Sequence, residues 1–245
     1  MSKKKTPRKR KGSRQKRKNT LRSRVQAWLL AWLWRTITTH KRIVALGLLI
    51  CIGGLATSCV TSPPPQQMAN LCEMFDEKSS WYEYANRTYY RWGIPISVQM
   101  AIMRQESSFI SDAKPPRTMF LGIIPLARPS SAFGYAQALD GSWDLYRSKT
   151  GQWNADRDNF ADTVDFIGWY CDVTHRTLGI SKWDAKRLYL AYHEGQGGYR
   201  QRSYQQKPWL MPIAQKVERN AQRYSAQLKG CEQALKTKRF FWPFS

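Results

Sequence analysis

Residues 95–109, PISVQMAIMRQESSF, show most clearly how this chain folds. Proline is favoured in the first turn of an α-helix, where a missing N–H group costs nothing. The positions that follow Pro95 at helical spacing are Val98, Ala101, Ile102 and Gln105. Because residues at this spacing share one face, the stretch predicts a helix that packs this face into a core.

Glu106 projects from the same face, four residues after Ile102 and eight after Val98, at the C-terminal end of the predicted helix. Partial burial and the negative end of the helix dipole both disfavour a charged carboxylate, so we expect a raised pKa. A carboxyl group that keeps its proton near neutral pH can serve as the general acid of a glycosidase. The alternative is an ordinary solvated acid in the last turn of the helix.

Helical patterns continue on both sides of this stretch, with few signs of β-strands. Further helices are predicted over residues 71–92, 158–178 and 209–229, each followed by glycine. Ser181 and Asp184 form a capping-box pattern before another helix that runs to about His193. The sequence therefore predicts an all-α fold.

Charge divides the chain into two parts. Residues 1–72 hold 16 of its 40 Lys and Arg and no acid, which leaves 24 bases against 17 acids in the rest. Aromatic residues make up 13% of the 245 residues of the chain. The part after the basic leader is therefore too rich in rings for a disordered chain, and its length suits one domain. The leader has the charge of a nucleic-acid arm, but the domain shows no basic stripe with interleaved rings, so no nucleic-acid partner is predicted.

The chain before the domain is predicted to have three segments, of which the basic leader is the first. Residues 1–42 are basic and disordered, residues 43–58 form an apolar segment, and residues 59–69 are a Pro-rich linker. The uncharged run over 43–57 is about 22 Å long as a helix, short of the ~30 Å hydrocarbon core, which suits a cleaved signal peptide. A helix prolonged to about Ser62 would instead form an uncleaved anchor. Both alternatives export the rest of the chain.

Residues 56–59, ATSC, resemble the lipobox of bacterial lipoproteins. The resemblance implies cleavage before Cys59 and lipidation of its thiol, although Ala56 stands where Leu is commoner. It implies a periplasmic domain attached to the membrane, by analogy the outer membrane. The uncleaved helix would anchor the domain to the inner membrane.

Three cysteines lie in the predicted domain, without a CxxC pair or clustered His, so no metal site is predicted. Export to an oxidising compartment favours a disulfide between Cys72 and Cys231, just outside the first and last predicted helices. Cys171 falls on the apolar face of its helix and is expected to be a buried packing residue.

Three segments together resemble the signature motifs of the soluble lytic transglycosylases. They are residues 103–109 (MRQESSF), 133–137 (FGYAQ) and 191–195 (AYHEG), which match in order a Glu-Ser helix end, a Gly-x-x-Gln turn and an Ala-Tyr-x-x-Gly segment. Over roughly residues 80–225 this resemblance implies a lysozyme-like α-helical domain related to goose-type lysozyme. It implies that residues 70–235 form a catalytic domain acting on the glycan strands of peptidoglycan, and no cofactor is expected.

The resemblance also implies roles for single residues. Glu106 corresponds to the acid that protonates the oxygen between MurNAc and GlcNAc and then acts as a base. Tyr192 corresponds to a tyrosine whose hydroxyl positions this carboxyl. The residues expected to bind substrate are Ser107, Gly134, Tyr135, Gln137 and Tyr192.

The family mechanism needs a single carboxyl group and closes a 1,6-anhydro ring on MurNAc. A lysozyme-type hydrolase would need a second carboxylate, about 5 Å away as nucleophile or roughly 6.5–9.5 Å away to activate water. Asp140 and Glu194 are the candidates, and Glu194 stands where the family more often has a small residue. A third alternative is a catalytically silent lipoprotein that binds the wall.

Two further segments could contact other parts of the cell envelope. Residues 114–130 (KPPRTMFLGIIPLARPS) lengthen the usual spacing between Glu106 and Gly134, and long loops seldom lack structure. They could form a flap over the cleft, an apolar contact with lipid or a partner protein, or an extra piece of core. Residues 236–245 (KTKRFFWPFS) are predicted to be a flexible basic and aromatic tail, suited to an anionic membrane or wall.

Overall fold

Residues 62–117, 119–120 and 124–241 are described by the computed structural model of the chain. The basic leader, the apolar segment over 43–58 and Cys59 lie outside the described residues, so their interpretation as a signal, anchor or lipidation site stays a prediction. None of the described helices combines the length and the apolar character that crossing a membrane requires.

The described chain is helical apart from one small hairpin, which confirms the predicted all-α class. The helices are α1 (Leu71–Glu77), α2 (Ser79–Trp92), α3 (Ile96–Ser107), α4 (Asp140–Thr150), α5 (Phe160–Leu178), α6 (Ala185–Arg200) and α7 (Leu210–Phe241), with one 3-10 turn at Ser203–Gln206. Strands β1 (Met119–Phe120) and β2 (Ile124–Pro125) pair in antiparallel register within the 114–130 insertion.

Helix α3 forms the centre of the fold and packs against α2, α5, α6 and α7. Every residue from 96 to 103 is buried, including Gln99. The side-chain nitrogen of Gln99 donates to the backbone carbonyl oxygens of Ala85 and Ile94. Since neighbouring helices cover several sides of α3, burial extends well beyond the single face that the sequence predicted.

The helix predicted over residues 71–92 is divided at Lys78, whose backbone is not helical (φ −111°, ψ 72°). Helix α1 packs against α7, whereas α2 packs against α5. The break separates two helices that have different packing partners. Helix α2 ends at Gly93 with φ 70°, in agreement with the sequence.

The capping-box prediction at Ser181 and Asp184 is wrong. Asp184 itself is the N-cap of α6, and its carboxylate accepts a hydrogen bond from the backbone N–H of Arg187. The first helical stretch of α6 ends beside the predicted end at His193, because the backbone of Gly195 is not helical (φ 74°, ψ 159°), and a second stretch runs on to Arg200. This kink lets α6 change direction at the third sequence motif.

The last helix is longer than predicted, because Gly230 does not end it. Leu235 is only 7% exposed, and Glu232 pairs with Lys236 across one helical turn at 2.9 Å. These contacts continue the helical pattern past the glycine. The segment predicted as a flexible tail from Lys236 is therefore helical as far as Phe241.

A disulfide joins Cys72 to Cys231, the pair selected from the sequence, with their Cα atoms 6.0 Å apart. Both residues lie inside helices, α1 and α7, rather than just outside them. Cys171 is buried and free, and burial raises the pKa of its thiol to about 12, as suits a packing residue.

Candidate active site

Glu106 lies in the last turn of α3, just before the backbone enters the left-handed region at Ser108 (φ 51°) and Phe109 (φ 60°). The Phe109 ring is fully buried, so the chain turns back into the core directly after the helix. Because α3 is enclosed along most of its length, its final turn brings the half-buried Glu106 side chain to the inner side of a cleft.

The cleft has a volume of about 440 Å³, within the range that holds small ligands. Helices α3, α4, α5 and α6 contribute to it, together with the turn between β2 and α4. The lining residues are Glu106, Ala132, Gln137, Ala138, Leu139, Ser142, Phe166, Tyr170, Tyr192, His193, Glu194 and Gly195. The cleft thus combines aromatic rings with a few polar groups, and parts of all three sequence motifs meet there.

Burial raises the pKa of the Glu106 carboxyl from its ordinary value of 4.5 to about 7, and a hydrogen bond with Tyr189 acts in the opposite direction. A large part of the Glu106 population therefore keeps its proton at neutral pH. A general acid works best when its pKa lies near the working pH, and Glu106 meets this requirement.

Tyr189, one turn before Tyr192 on α6, is the tyrosine that hydrogen-bonds to the Glu106 side chain. The hydroxyl of Tyr192 donates instead to the backbone carbonyl oxygen of Ala136, at 2.8 Å. Burial and the nearby carboxyl of Glu106 raise the pKa of Tyr192 well above its usual range. The structure thus places Tyr189 in hydrogen-bond contact with Glu106, while Tyr192 lines the cleft and holds the Gly-x-x-Gln turn, and the role expected of Tyr192 stays a prediction.

Gly134 and Gln137 define the turn of the second motif. Gly134 has φ 77°, and a Cβ atom there would lie 1.9 Å from the carbonyl oxygen of Arg157, so only glycine fits. Gln137 has φ 48°, and its side-chain nitrogen donates to the carbonyl oxygens of Ala113 and Gly134, each at 2.9 Å. The amide of Gln137 therefore holds the turn together while the residue lines the cleft.

Three of the five residues expected to bind substrate, Ser107, Gly134 and Tyr135, are not among the residues that line the cleft. Ser107 is 7% exposed, and its hydroxyl donates to the carbonyl oxygen of Met103 one turn back. Tyr135 is 2% exposed, and its ring packs edge-on against Trp81 and Phe160 in the core. In the described structure the side chains of Ser107 and Tyr135 pack in the core, and a substrate-binding role for them stays a prediction.

Asp140 is not among the residues that line the Glu106 cleft. Its carboxylate pairs with Arg157 at 2.8 Å and lines a separate depression beside Trp143. Glu106 is not among the residues that line this depression. Asp140 is therefore poorly placed to act with Glu106 on one sugar bond.

Glu194 does line the cleft, but its carboxylate is already engaged. Its side chain is 3% exposed and accepts hydrogen bonds from Lys207 at 2.7 Å, from His193 at 2.9 Å and from Ser203. Burial opposes ionisation, but these hydrogen bonds outweigh it and lower the pKa of Glu194 to about 2. Glu194 is thus a weak base that is committed to structural partners.

The described part of the chain contains no group of three or more His, Cys, Asp or Glu side chains arranged to hold a metal ion. Within the insertion, residues 114–117 and 126–130 do not line the cleft. Of the alternatives for the insertion, a flap over the cleft therefore gains no support from these residues.

Comparison with curated proteins yields no match to this chain. The family model described as Transglycosylase SLT domain matches residues 47–231, which is more than half of the chain. The match spans all three motifs, the cleft and both disulfide cysteines. The chain therefore belongs to the Transglycosylase SLT domain family, and this membership implies lytic transglycosylase activity on peptidoglycan.

Proposed function

We propose that the chain cleaves the β-1,4 bond between MurNAc and GlcNAc with formation of 1,6-anhydro-MurNAc, using Glu106 as the single acid and base. The pKa of Glu106 carries this proposal, because its side chain faces the cleft and holds a proton near neutral pH. The other carboxyl group among the described lining residues, Glu194, is ionised and paired with Lys207.

The reaction proceeds in two proton transfers. Protonated Glu106 donates to the glycosidic oxygen as the bond from C1 of MurNAc breaks, and GlcNAc leaves as an alcohol. The Glu106 carboxylate then removes the proton of the MurNAc C6 hydroxyl as that oxygen bonds to C1. Glu106 ends protonated and no water is consumed. The hydrogen bond with Tyr189 favours the carboxylate that exists between the two transfers.

A lysozyme-type hydrolase is less well supported by the same residues. Inversion would need a basic carboxylate to activate water, and retention would need a free nucleophilic carboxylate. Glu194 is held by three donors, and Asp140 lies in another depression with Arg157. Neither residue is available for these roles without first losing a structural partner.

Mass spectrometry of peptidoglycan digested by the purified full-length chain tests the proposal, with Glu106→Gln as the paired variant. We expect anhydro-muropeptides from the wild type and none from the variant. Reducing ends without anhydro products would indicate a hydrolase. Intact glycan strands that are bound but not cleaved would indicate a silent wall-binding protein.

A substrate in the cell wall implies a location in the cell envelope. We propose that the domain lies on the periplasmic face, attached through a lipid on Cys59 or through an uncleaved helix over residues 43–58. Labelling of cells with a radioactive fatty acid distinguishes the two. A lipoprotein incorporates label that Cys59→Ser abolishes, whereas an uncleaved anchor stays unlabelled and keeps the full mass of the chain.

A further inference from the structure

One wall of the Glu106 cleft is built around the buried carboxylate of Glu194. Three donors surround this carboxylate: the Nδ1 atom of His193, the hydroxyl of Ser203 and the ammonium group of Lys207. A carboxylate with a side chain only 3% exposed needs such partners to stay ionised. Glu194 therefore acts as an anchor, which accounts for its presence where a small residue is commoner.

The anchor holds the segment that follows α6. Ser203 and Lys207 lie at the start and just after the end of the 3-10 turn, so both ends of the turn are tied to Glu194. The rings of Tyr199 and Tyr204 stack at 5.3 Å across the same segment. Residues 201–209 are thereby fixed against α6, next to the cleft.

Trp209 is the last residue of this segment. It is 53% exposed, and its ring meets His193 edge-on with the centroids 5.3 Å apart. His193 lines the cleft, and its ring lies 6.4 Å from that of Tyr189, which hydrogen-bonds to Glu106. A row of aromatic side chains therefore leads from the carboxyl group out to Trp209.

We propose that His193 and Trp209 form a sugar-binding platform that holds the glycan strand beyond the bond placed at Glu106. A pyranose ring has an apolar face of C–H groups and a polar rim of hydroxyls. An exposed indole offers a flat apolar surface at low conformational cost, and a neighbouring imidazole supplies a polar group. Since the platform follows the cleft, its ligand is the same polysaccharide, and the inference rests on the proposed function for the identity of that ligand.

Binding of peptide-free peptidoglycan strands to the full-length chain tests the platform. The measurements use the Glu106→Gln background, so that strands stay intact. Adding Trp209→Ala is expected to raise the dissociation constant about tenfold, the effect of losing roughly 1.4 kcal/mol. Trp183→Ala is the matched control, because Trp183 is 67% exposed and lines other grooves, away from the cleft. Equal affinities for the two variants would overturn the proposal.

A second variant separates ring stacking from a general structural effect. Trp209→Phe keeps an aromatic face and should restore most of the affinity that Trp209→Ala loses. Failure of Phe to bind better than Ala, with unchanged thermal unfolding in both, would overturn the platform. The two proposals fail separately. A wild-type digest without anhydro products would refute the proposed function, whereas unchanged strand binding by Trp209→Ala would refute the platform alone.

Discussion

Replacing Glu106 by Gln is expected to stabilise the folded chain at alkaline pH while abolishing cleavage. The pKa of the carboxyl is about 7 in the folded chain, against an ordinary value of 4.5. The folded state thus binds the proton more tightly than the unfolded state. The free energy of unfolding of the wild type should therefore fall as the pH rises from about 4.5 to about 7, and level off above. At about 1.4 kcal/mol per pKa unit, the full loss is roughly 3 kcal/mol.

Glutamine does not titrate, so the variant escapes this loss. Thermal and urea unfolding at pH 5 and pH 8 should show the advantage of the variant over the wild type growing by about 2–3 kcal/mol, or several degrees in Tm. Glu194→Gln is the control with the opposite sign: the lowered pKa of Glu194 predicts a destabilisation of similar size at both pH values. A stability difference between Glu106→Gln and the wild type that does not change between pH 5 and pH 8 would refute the electrostatic argument.

Three further predictions concern the residues around this site and the ends of the domain. Tyr189→Phe removes a hydrogen bond that favours the charged carboxylate, so the alkaline limb of the pH–rate profile should move up by about one pH unit; an unmoved limb would argue against the contact. Replacing Cys72 and Cys231 by Ser removes a cross-link between positions that are 159 residues apart, and the free energy of unfolding should fall by up to about 5 kcal/mol. A reducing agent should lower the Tm of the wild type and leave the Tm of this double variant unchanged. Gly134→Ala should lower the free energy of unfolding by several kcal/mol and remove most of the activity. Gly151→Ala should lower it by only about 1 kcal/mol, because Gly151 has a similar φ but open space around its Cβ position. Equal losses in thermal unfolding would show that the close backbone approach at Gly134 is unimportant.

The parts of the fold that follow from local pattern could be predicted from the sequence. Helical spacing around Ile102 predicted α3, and the place of Glu106 at the end of an apolar face predicted the direction of its pKa shift. Gly93 and Gly179, both with positive φ, end their helices as expected. These features depend on residues within a few turns of one another.

The features that depend on tertiary contacts could not be predicted in this way. Tyr189 lies outside the three sequence motifs. Its contact with Glu106 exists only because α6 packs against α3. Ser107 and Tyr135 belong to motifs, yet their side chains point into the core, since the neighbouring residues take the cleft positions. The extension of α7 through Gly230 likewise depends on the burial of Leu235 beyond it.

The disulfide between α1 and α7 has a mechanical consequence. Any pull on the chain upstream of Cys72 passes through a covalent bond into the longest helix of the domain, and does not have to be carried by the packing of the short α1. The attachment proposed for residues 43–59 would load the domain whenever the cleft holds a glycan strand that is fixed in the wall. The cross-link would carry such a load directly into α7, so that α1 does not have to stay packed by its own contacts alone.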